Sequence, residues 1–146
     1  MIYTDLTKKA MNLMFELHKD QKEKSGIAYV FHPWHVAESM DDENSTIVAL
    51  LHDSVEDTDI TLDDLRNEGF PDEVIEAIAL MTHADGVSYM DYVKGLAHNP
   101  IARKVKLSDL RHNSDITRLN KITEKDLQRI EKYKKAIEYL EGIDAE

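Results

Sequence analysis

Apolar residues recur every three or four positions along most of this chain, and polar residues fill the positions between them. In the first segment, residues 5 to about 24, the repeat is formed by Leu6, Ala10, Leu13, Met14 and Leu17. That spacing places the five side chains on one face of an α-helix. Similar patterns predict helices over about residues 33–40, 61–69, 71–81, 88–98, 100–113 and 123–140, and a helix that carries residues 47–51.

Proline and capping residues mark where several of these helices begin. Pro33 and Pro100 suit the first turn of a helix, where a missing backbone N–H costs nothing. Thr61 and Thr123 are typical capping residues. The sequence contains no convincing pair of alternating strands. It therefore predicts an all-α fold of about seven or eight helices joined by loops of ordinary length.

Length and composition indicate a globular protein. A chain of 146 residues with 42% hydrophobic residues fits one domain with a real core. There is no leader-like N-terminal stretch and no apolar run of about 18 residues, so we expect neither export nor a membrane span. The absence of cysteine excludes disulfides and thiolate metal sites. A cytoplasmic location is the expectation that follows.

The charge of the chain restricts its partners. Acidic residues number 29 against 18 basic ones, which gives a net charge of −11. Such a balance argues against nucleic acid as a general partner. A phosphorylated small substrate remains compatible with it, because a divalent cation and a few lysines can reverse the field at one cleft.

A cluster of polar groups follows the apolar run at residues 47–51. His52, Asp53, Glu56 and Asp57 fall within an arc of about 140° if a helix continues through them. Acids and imidazole at the end of an apolar helix are costly unless a cation binds there. We therefore interpret this stretch as part of a metal site, and a solvated acidic helix end is the alternative.

Two other segments supply the remaining candidate ligands. His32 lies just before Pro33, and Asp109 lies in the predicted helix at 100–113. Together with His52 and Asp53, they offer two imidazoles and two carboxylates. This set suits a six-coordinate ion such as Mn²⁺, Fe²⁺ or Mg²⁺ better than a tetrahedral structural zinc.

Further residues near these ligands suit phosphate chemistry. Glu56 and Asp57 are placed to orient a metal-bound water or to move its proton. Lys106, three residues before Asp109, is placed to meet phosphate charge, and Asn113 is placed to hydrogen-bond a base or a sugar. An exposed lysine and an ordinary helix-end asparagine are the alternatives for these last two, and spacing alone does not decide between them.

Three segments also carry a resemblance to a known family. They are YVFHP at 29–33, ALLHDSVEDT at 49–58 and VKLSD at 105–109, followed by Asn113. This ordered set, which covers about residues 18–133, resembles the HD-domain metal-dependent phosphohydrolases. It is most similar to the hydrolase domains of RelA/SpoT-type alarmone enzymes and to the small stand-alone alarmone hydrolases of the stringent response.

The resemblance implies an all-helical HD-domain bundle that holds one divalent metal ion, usually Mn²⁺. The residues in its metal-ligand positions are His32, His52, Asp53 and Asp109. Those that match the pair acting on the attacking water are Glu56 and Asp57. Those that match substrate contacts are Lys106, Asn113 and Tyr133. The implied reaction is removal of the 3′-pyrophosphate from guanosine tetra- or pentaphosphate.

One position departs from the family pattern. Members usually carry an arginine that packs on the guanine base, in the segment before Tyr29, and here that position holds Glu23. A carboxylate neither stacks like a guanidinium nor attracts phosphate. Lys22 or Lys24 is placed to compensate in part, and Lys24 therefore joins the predicted substrate contacts.

We expect residues 1–146 to form a single HD-type phosphohydrolase domain, without a synthetase domain, that acts on a small nucleotide. Two alternatives stay open. One is phosphomonoester hydrolysis of another nucleotide, which Glu23 motivates, and the other is a non-catalytic module that senses a metal or a nucleotide. A homo-oligomer is compatible with the sequence, which does not indicate the oligomeric state.

Overall fold

A computed structural model describes residues 1–145, and its regular structure there is helical. The α-helices in order are α1 Asp5–His18, α2 Phe31–Glu38, α3 Glu43–Leu51, α4 Ser54–Asp57, α5 Leu62–Asn67, α6 Asp72–Met81, α7 Tyr89–Leu96, α8 Pro100–Asn113 and α9 Glu124–Asp144. A 3₁₀ turn at Ile116–Arg118 precedes α9. Apart from α4, which is a single turn, this is the predicted all-α fold. None of these helices is both long and apolar enough to cross a bilayer.

Helix α3 lies at the centre of the bundle. Every side chain from Ser45 to Leu51 is buried, and the helix packs against α1, α2, α6 and α8. Its start is fixed by Asp42, whose side chain accepts the Ser45 backbone N–H at 2.8 Å. A helix that is buried on all sides needs no polar face, which explains the continuous apolar run in its sequence.

Helix α1 ends at His18, whereas the sequence predicted an end near residue 24. The residues that follow turn back on themselves: the Glu23 N–H donates to the Ile27 carbonyl at 2.9 Å, and Gly26 adopts a φ of 90°. The charged run after α1 adds no apolar side chain to the helix stripe, so extending the helix would bury nothing. The loop carries Glu23 and Tyr29 to the wall of the cavity described below.

The polar cluster after α3 does not lie on one continuous helix, as the arc of 140° assumed. Helix α3 ends at Leu51, and α4 begins only at Ser54. The Ser54 hydroxyl donates to the Leu51 carbonyl at 2.6 Å, a side-chain bond that competes with regular helical pairing. Two smaller differences concern α2, which begins at Phe31 and so contains His32, and α9, which continues to Asp144.

Candidate metal-binding and catalytic site

Nine of the ten predicted site residues line one cavity of about 440 Å³. They are Lys24, His32, Asp53, Glu56, Asp57, Lys106, Asp109, Asn113 and Tyr133. The tenth, His52, is 1% exposed and contacts Asp53 and Asp109 in the wall of the cavity. The fold therefore brings together segments that are far apart in sequence: the loop after α1, helix α2, the α3–α4 junction, α8 and α9.

Three of these segments supply the four predicted metal ligands. His32 Nε2 lies 2.8 Å from Asp109 Oδ1, and His52 Nε2 lies 3.4 Å from the same oxygen. His52 Nε2 also lies 3.1 Å from Asp53 Oδ2. Neighbouring ligands around an octahedral ion are about 3 Å apart when the metal–ligand bonds are about 2.1 Å. The three separations match that spacing, and the ligand atoms of His32, His52 and Asp109 all lie within 4.8 Å of one another, while Asp53 meets this group through His52.

Hydrogen bonds around the two imidazoles turn both Nε2 atoms toward the cluster. His52 Nδ1 donates to the Ala49 carbonyl at 2.6 Å, so Nε2 is the nitrogen that faces the cluster, and it carries the lone pair whenever the ring is neutral. Among the described residues 1–145, that buried Nε2 makes no well-directed hydrogen bond, although Asp53 Oδ2 and Asp109 Oδ1 lie 3.1 and 3.4 Å away. His32 Nδ1 lies 2.7 Å from His112 Nδ1. Burial and then the Arg118 charge lower the pKa of His112 to about 3, so His112 is neutral, and a hydrogen bond from His32 Nδ1 to His112 Nδ1 would leave the His32 Nε2 lone pair to a cation.

The electrostatics of the cluster are those of a cation site. Burial opposes a charge on His52, but Asp53 and Asp109 outweigh it and raise the pKa of His52 well above its usual value. Burial also opposes ionisation of Asp109, but Lys106 and the histidines hold the pKa of Asp109 well below its usual range. An unpartnered imidazole nitrogen beside two carboxylates is a position that a divalent cation satisfies. The donor set therefore fits a metal ion.

Asp53 is oriented by the loop that follows α1. The Tyr29 hydroxyl donates to Asp53 Oδ2. The Tyr29 ring lies against His18 and His32, with centroid separations of 5.0 and 5.8 Å. Burial and then the Asp53 charge raise the pKa of Tyr29 far above its usual value, so the phenol remains a donor. Tyr29 thus fixes the direction in which the Asp53 carboxylate points.

Helix α4 presents Glu56 and Asp57 to the cavity. Glu56 Oε1 accepts the backbone N–H of His83 at 2.7 Å, which holds this carboxylate in place. Burial, followed by the charges of Asp53 and Glu56, raises the pKa of Asp57 to about 6. A carboxylate whose pKa lies near the working pH is a suitable proton acceptor. The two carboxylates thus differ: the backbone of His83 holds Glu56 in place, and burial and neighbouring charges raise the pKa of Asp57.

Lys106 is less accessible than its predicted role in phosphate binding suggested. Its ammonium donates to Asp109 Oδ2 at 2.9 Å. It also lies 5.1 Å from the ring centre of Tyr92 and 5.8 Å from that of Tyr89. The residue is 9% exposed. Its charge therefore balances Asp109 first, and a direct contact with phosphate stays a prediction.

The other predicted substrate contacts lie elsewhere in the cavity wall. Asn113 Nδ2 donates to Asp109 Oδ1 at 3.0 Å. Lys24 is exposed, with Nζ 3.7 Å from Asp126 Oδ1. Tyr133 is half-buried in α9. Their contacts with substrate stay predictions, as do the roles of the metal ligands, of Glu56 and of Asp57.

Three residues outside the predicted set also belong to the site: Arg118, His112 and His83. Arg118 pairs with Glu23, which is 95 positions away in sequence. His83 acts through its backbone N–H, which no side-chain pattern indicates. The position of His112 beside Asn113 was the one signal available. The complete set of site residues therefore becomes visible only from tertiary contacts, because sequence spacing indicates only some of them.

Comparisons with known proteins link this chain to one group of enzymes. No family model matches it. A GTP pyrophosphokinase of Streptomyces antibioticus is 35% identical over 146 residues, covering 91% of this chain and 16% of that protein. A guanosine-3′,5′-bis(diphosphate) 3′-pyrophosphohydrolase of Aquifex aeolicus is 32% identical over 106 residues, covering 64% of this chain and 15% of that protein. The chain thus spans about one-sixth of the length of these curated relatives.

A solved structure shares the fold of almost the whole chain. It is that of a metazoan SpoT orthologue that hydrolyses ppGpp. The two structures agree with a TM-score of 0.76 at 22% identity, and the match covers 98% of this chain and 89% of the other. At this identity the likeness establishes the helical fold.

Proposed function

Since this chain is a RelA/SpoT-like domain by its sequence relatives and its fold, we propose that it is a metal-dependent hydrolase that removes the 3′-pyrophosphate from guanosine tetra- or pentaphosphate. The observation that carries the proposal is a metal-ligand cluster beside two further carboxylates in one cavity. The cluster is formed by His32, His52 and Asp109, with Asp53 in contact with His52, and the two further carboxylates are Glu56 and Asp57.

We assign the four ligand positions to one divalent cation, with Mn²⁺ as the expected ion and Fe²⁺ or Mg²⁺ as alternatives. A set of two imidazoles and two carboxylates leaves coordination positions for water and for substrate. When bound, such an ion lowers the pKa of a coordinated water and offsets charge on phosphoryl oxygens. The unpartnered Nε2 of His52 is the feature of this chain that most directly supports the assignment.

We assign the proton transfers to the carboxylates of α4. Water attacks the phosphorus attached to the ribose 3′ oxygen and gives up one proton to Asp57, which is ionised above about pH 6. Glu56, held by the His83 backbone, orients this water. The bond between phosphorus and the 3′ oxygen breaks, the 3′ oxygen takes up one proton from solvent, and Asp57 returns the proton that it accepted to solvent. The products of the tetraphosphate are GDP and pyrophosphate.

We assign the nucleotide itself to the outer wall of the cavity. Lys24 carries an exposed ammonium there and Tyr133 a half-buried ring, which suit phosphate and the nucleoside respectively. Asn113 offers an amide for sugar or base. A small nucleotide is therefore the partner we propose. The cytoplasmic location and the single HD-type domain over residues 1–146 stay predictions.

A product assay tests the proposal. The Mn²⁺-loaded protein is incubated with guanosine tetra- or pentaphosphate, and the products are separated by anion-exchange chromatography. We expect GDP or GTP together with pyrophosphate. We also expect Glu56→Gln to lower kcat by about 100-fold, the usual contribution of a group that positions or accepts a proton. Glu76→Gln, at an exposed position of α6, is the matched control and should leave kcat unchanged.

The same assay separates the alternatives. Release of phosphate in place of pyrophosphate would identify a phosphomonoesterase. Tight binding of nucleotide without product, unchanged by Glu56→Gln, would identify a sensor module. A parallel incubation with ATP and GTP tests for the pyrophosphokinase reaction after which several relatives are named. Intact substrate in every incubation would overturn the proposed hydrolase.

A further inference from the structure

An ion pair between Glu23 and Arg118 stands in the cavity wall. The side chains are 17% and 18% exposed, so the pair is largely desolvated but still borders the cavity. No step of the proposed reaction uses either residue. A carboxylate in a cavity for a polyphosphate also opposes the expected charge, and its presence calls for a reason.

Other contacts fix the position of this pair. Arg118 Nη1 donates to Asn113 Oδ1 at 3.2 Å. Asn120 Nδ2 donates to the Ser25 carbonyl at 3.0 Å, which ties the loop after α1 to the segment after the 3₁₀ turn. Glu23 and Arg118 therefore approach the cavity from two segments that are joined to each other. The Glu23 carboxylate, an acceptor, and the Arg118 guanidinium, a donor, therefore lie side by side in the cavity wall, held there by these contacts.

The chemistry of the pair limits what can lie against it. A carboxylate accepts hydrogen bonds and donates none, and a guanidinium only donates. A ligand must therefore place N–H groups against Glu23 and an acceptor against Arg118. Guanine offers donors followed by an acceptor along one edge: its 2-amino group and N1–H are donors, and its O6 is an acceptor. Adenine has the opposite order, with an acceptor at N1 beside its 6-amino donor.

We propose that Glu23 and Arg118 form a base-recognition pair that selects guanine over adenine. Glu23 accepts from N1–H and the 2-amino group, and Arg118 donates to O6. This inference rests on the proposed function, because it requires a nucleotide in the cavity. It also gives Glu23 a place at the uncharged base, where its negative charge does not meet the phosphates.

Equilibrium binding measures base recognition without turnover. Guanosine, inosine and adenosine 3′,5′-bisphosphates are titrated into the Mn²⁺-loaded protein in a calorimeter. We expect guanosine bisphosphate to bind about 100-fold more tightly than the adenosine compound, since a site built for hydrogen bonds rejects a ligand that leaves its polar groups unpaired. Inosine lacks the 2-amino group, and its bisphosphate should bind about tenfold more weakly than the guanosine one, because one hydrogen bond to a charged group is lost.

Two variants separate base recognition from a purely structural ion pair. Glu23→Gln should weaken binding of the guanosine bisphosphate by about tenfold or more and leave the adenosine compound unchanged. The double variant Glu23→Arg with Arg118→Glu keeps opposite charges in contact but exchanges donor and acceptor, so it should lose the guanine preference while keeping its melting temperature. Glu141→Gln is the matched control, because Glu141 pairs with Arg111 at 3.0 Å on the exposed surface.

Several outcomes would overturn the inference. Equal affinity of the wild-type protein for the guanosine and adenosine bisphosphates would overturn it, and so would the absence of binding to either. Equal weakening of both bases by Glu23→Gln would show that the pair only supports the fold. Hydrolysis of guanosine and adenosine tetraphosphates separates this inference from the proposed function: equal pyrophosphate release from both overturns base recognition alone. Guanine-selective binding without any hydrolysis overturns the hydrolase and retains the pair.

Discussion

Replacement of Lys106 by methionine removes one half of a buried ion pair. The ammonium lies 2.9 Å from Asp109 Oδ2, and the two side chains are 11% and 5% exposed. Methionine keeps an unbranched apolar stem between Tyr89 and Tyr92, so most of the packing is retained. The main consequence is an Asp109 charge that has lost its closest cation.

The size of the effect follows from what remains around Asp109. Removing one partner of a buried pair typically costs about 3–5 kcal/mol. The lower end applies here, because His32 and His52 still lie 2.8 and 3.4 Å from Asp109 Oδ1. We therefore expect Lys106→Met to lower the free energy of unfolding by about 3 kcal/mol in EDTA. A divalent cation at the ligand cluster supplies the missing charge, so Mn²⁺ should stabilise the variant more than the wild type.

Urea unfolding followed by circular dichroism, in EDTA and in Mn²⁺, measures both effects. Lys104→Met is the matched control on the same helix. Lys104 pairs at 2.5 Å with Asp41, whose side chain is 85% exposed, and such surface pairs contribute at most about 1 kcal/mol. A loss in EDTA no larger than that of the control would refute the argument from uncompensated charge. Equal stabilisation of variant and wild type by Mn²⁺ would refute the link between the pair and the cation site.

Three further predictions concern residues around the cluster. Asp53→Ala should abolish Mn²⁺ binding and activity together, and full metal occupancy by calorimetry in an inactive variant would remove Asp53 from the ligand set. Tyr29→Phe removes the donor that orients Asp53 and should weaken Mn²⁺ affinity by about tenfold, as loss of a ligand's hydrogen-bond partner does; an unchanged Kd would contradict this. The pKa of Asp57 is raised from 3.8 to about 6, so the folded protein binds more protons than the unfolded chain between these values and loses stability as pH rises through them. Asp57→Asn should therefore raise the free energy of unfolding by up to about 1 kcal/mol near pH 7.5, a small gain because the side chain is exposed, and by nothing near pH 3. An equal gain at both pH values would contradict the argument.

The helices could be predicted because their apolar positions and caps are local. Pro100 lies in the first turn of α8 as expected, where the Asn99 side chain accepts the Ala102 N–H at 2.9 Å, and Thr123 caps α9. The resemblance to RelA/SpoT enzymes rested on three short segments that occur in a fixed order along the chain, and this resemblance is confirmed. The fold also brings His32, His52 and Asp109 together, which spacing in the sequence had left undecided.

Predictions were wrong where a side chain or a loop replaces regular helical pairing. The charged run after His18 has helix-forming residues, but it forms a loop in which the Tyr29 N–H donates to the Gln21 carbonyl and the Tyr29 hydroxyl donates to Asp53, contacts that the helical pattern does not reveal. The break at residues 52–53 depends on the Ser54 hydroxyl bonding to the Leu51 carbonyl, a local choice that periodicity does not detect. The partner of Glu23 could not be predicted, because Arg118 meets it only through the tertiary fold.

The charge of the cavity connects the metal cluster with base recognition. Seven carboxylates and four lysine or arginine side chains line it, so without a bound cation it repels a polyphosphate. In the proposed reaction the divalent ion therefore determines where the phosphates lie, close to His32 and Asp109. Once the phosphates are bound there, the remaining carboxylates would repel them at short range. These carboxylates must therefore face solvent, the attacking water or an uncharged part of the nucleotide. Glu23, which pairs with Arg118, satisfies this condition if it lies at the base, so a substitution that looks unfavourable for phosphate binding is compatible with a nucleotide hydrolase.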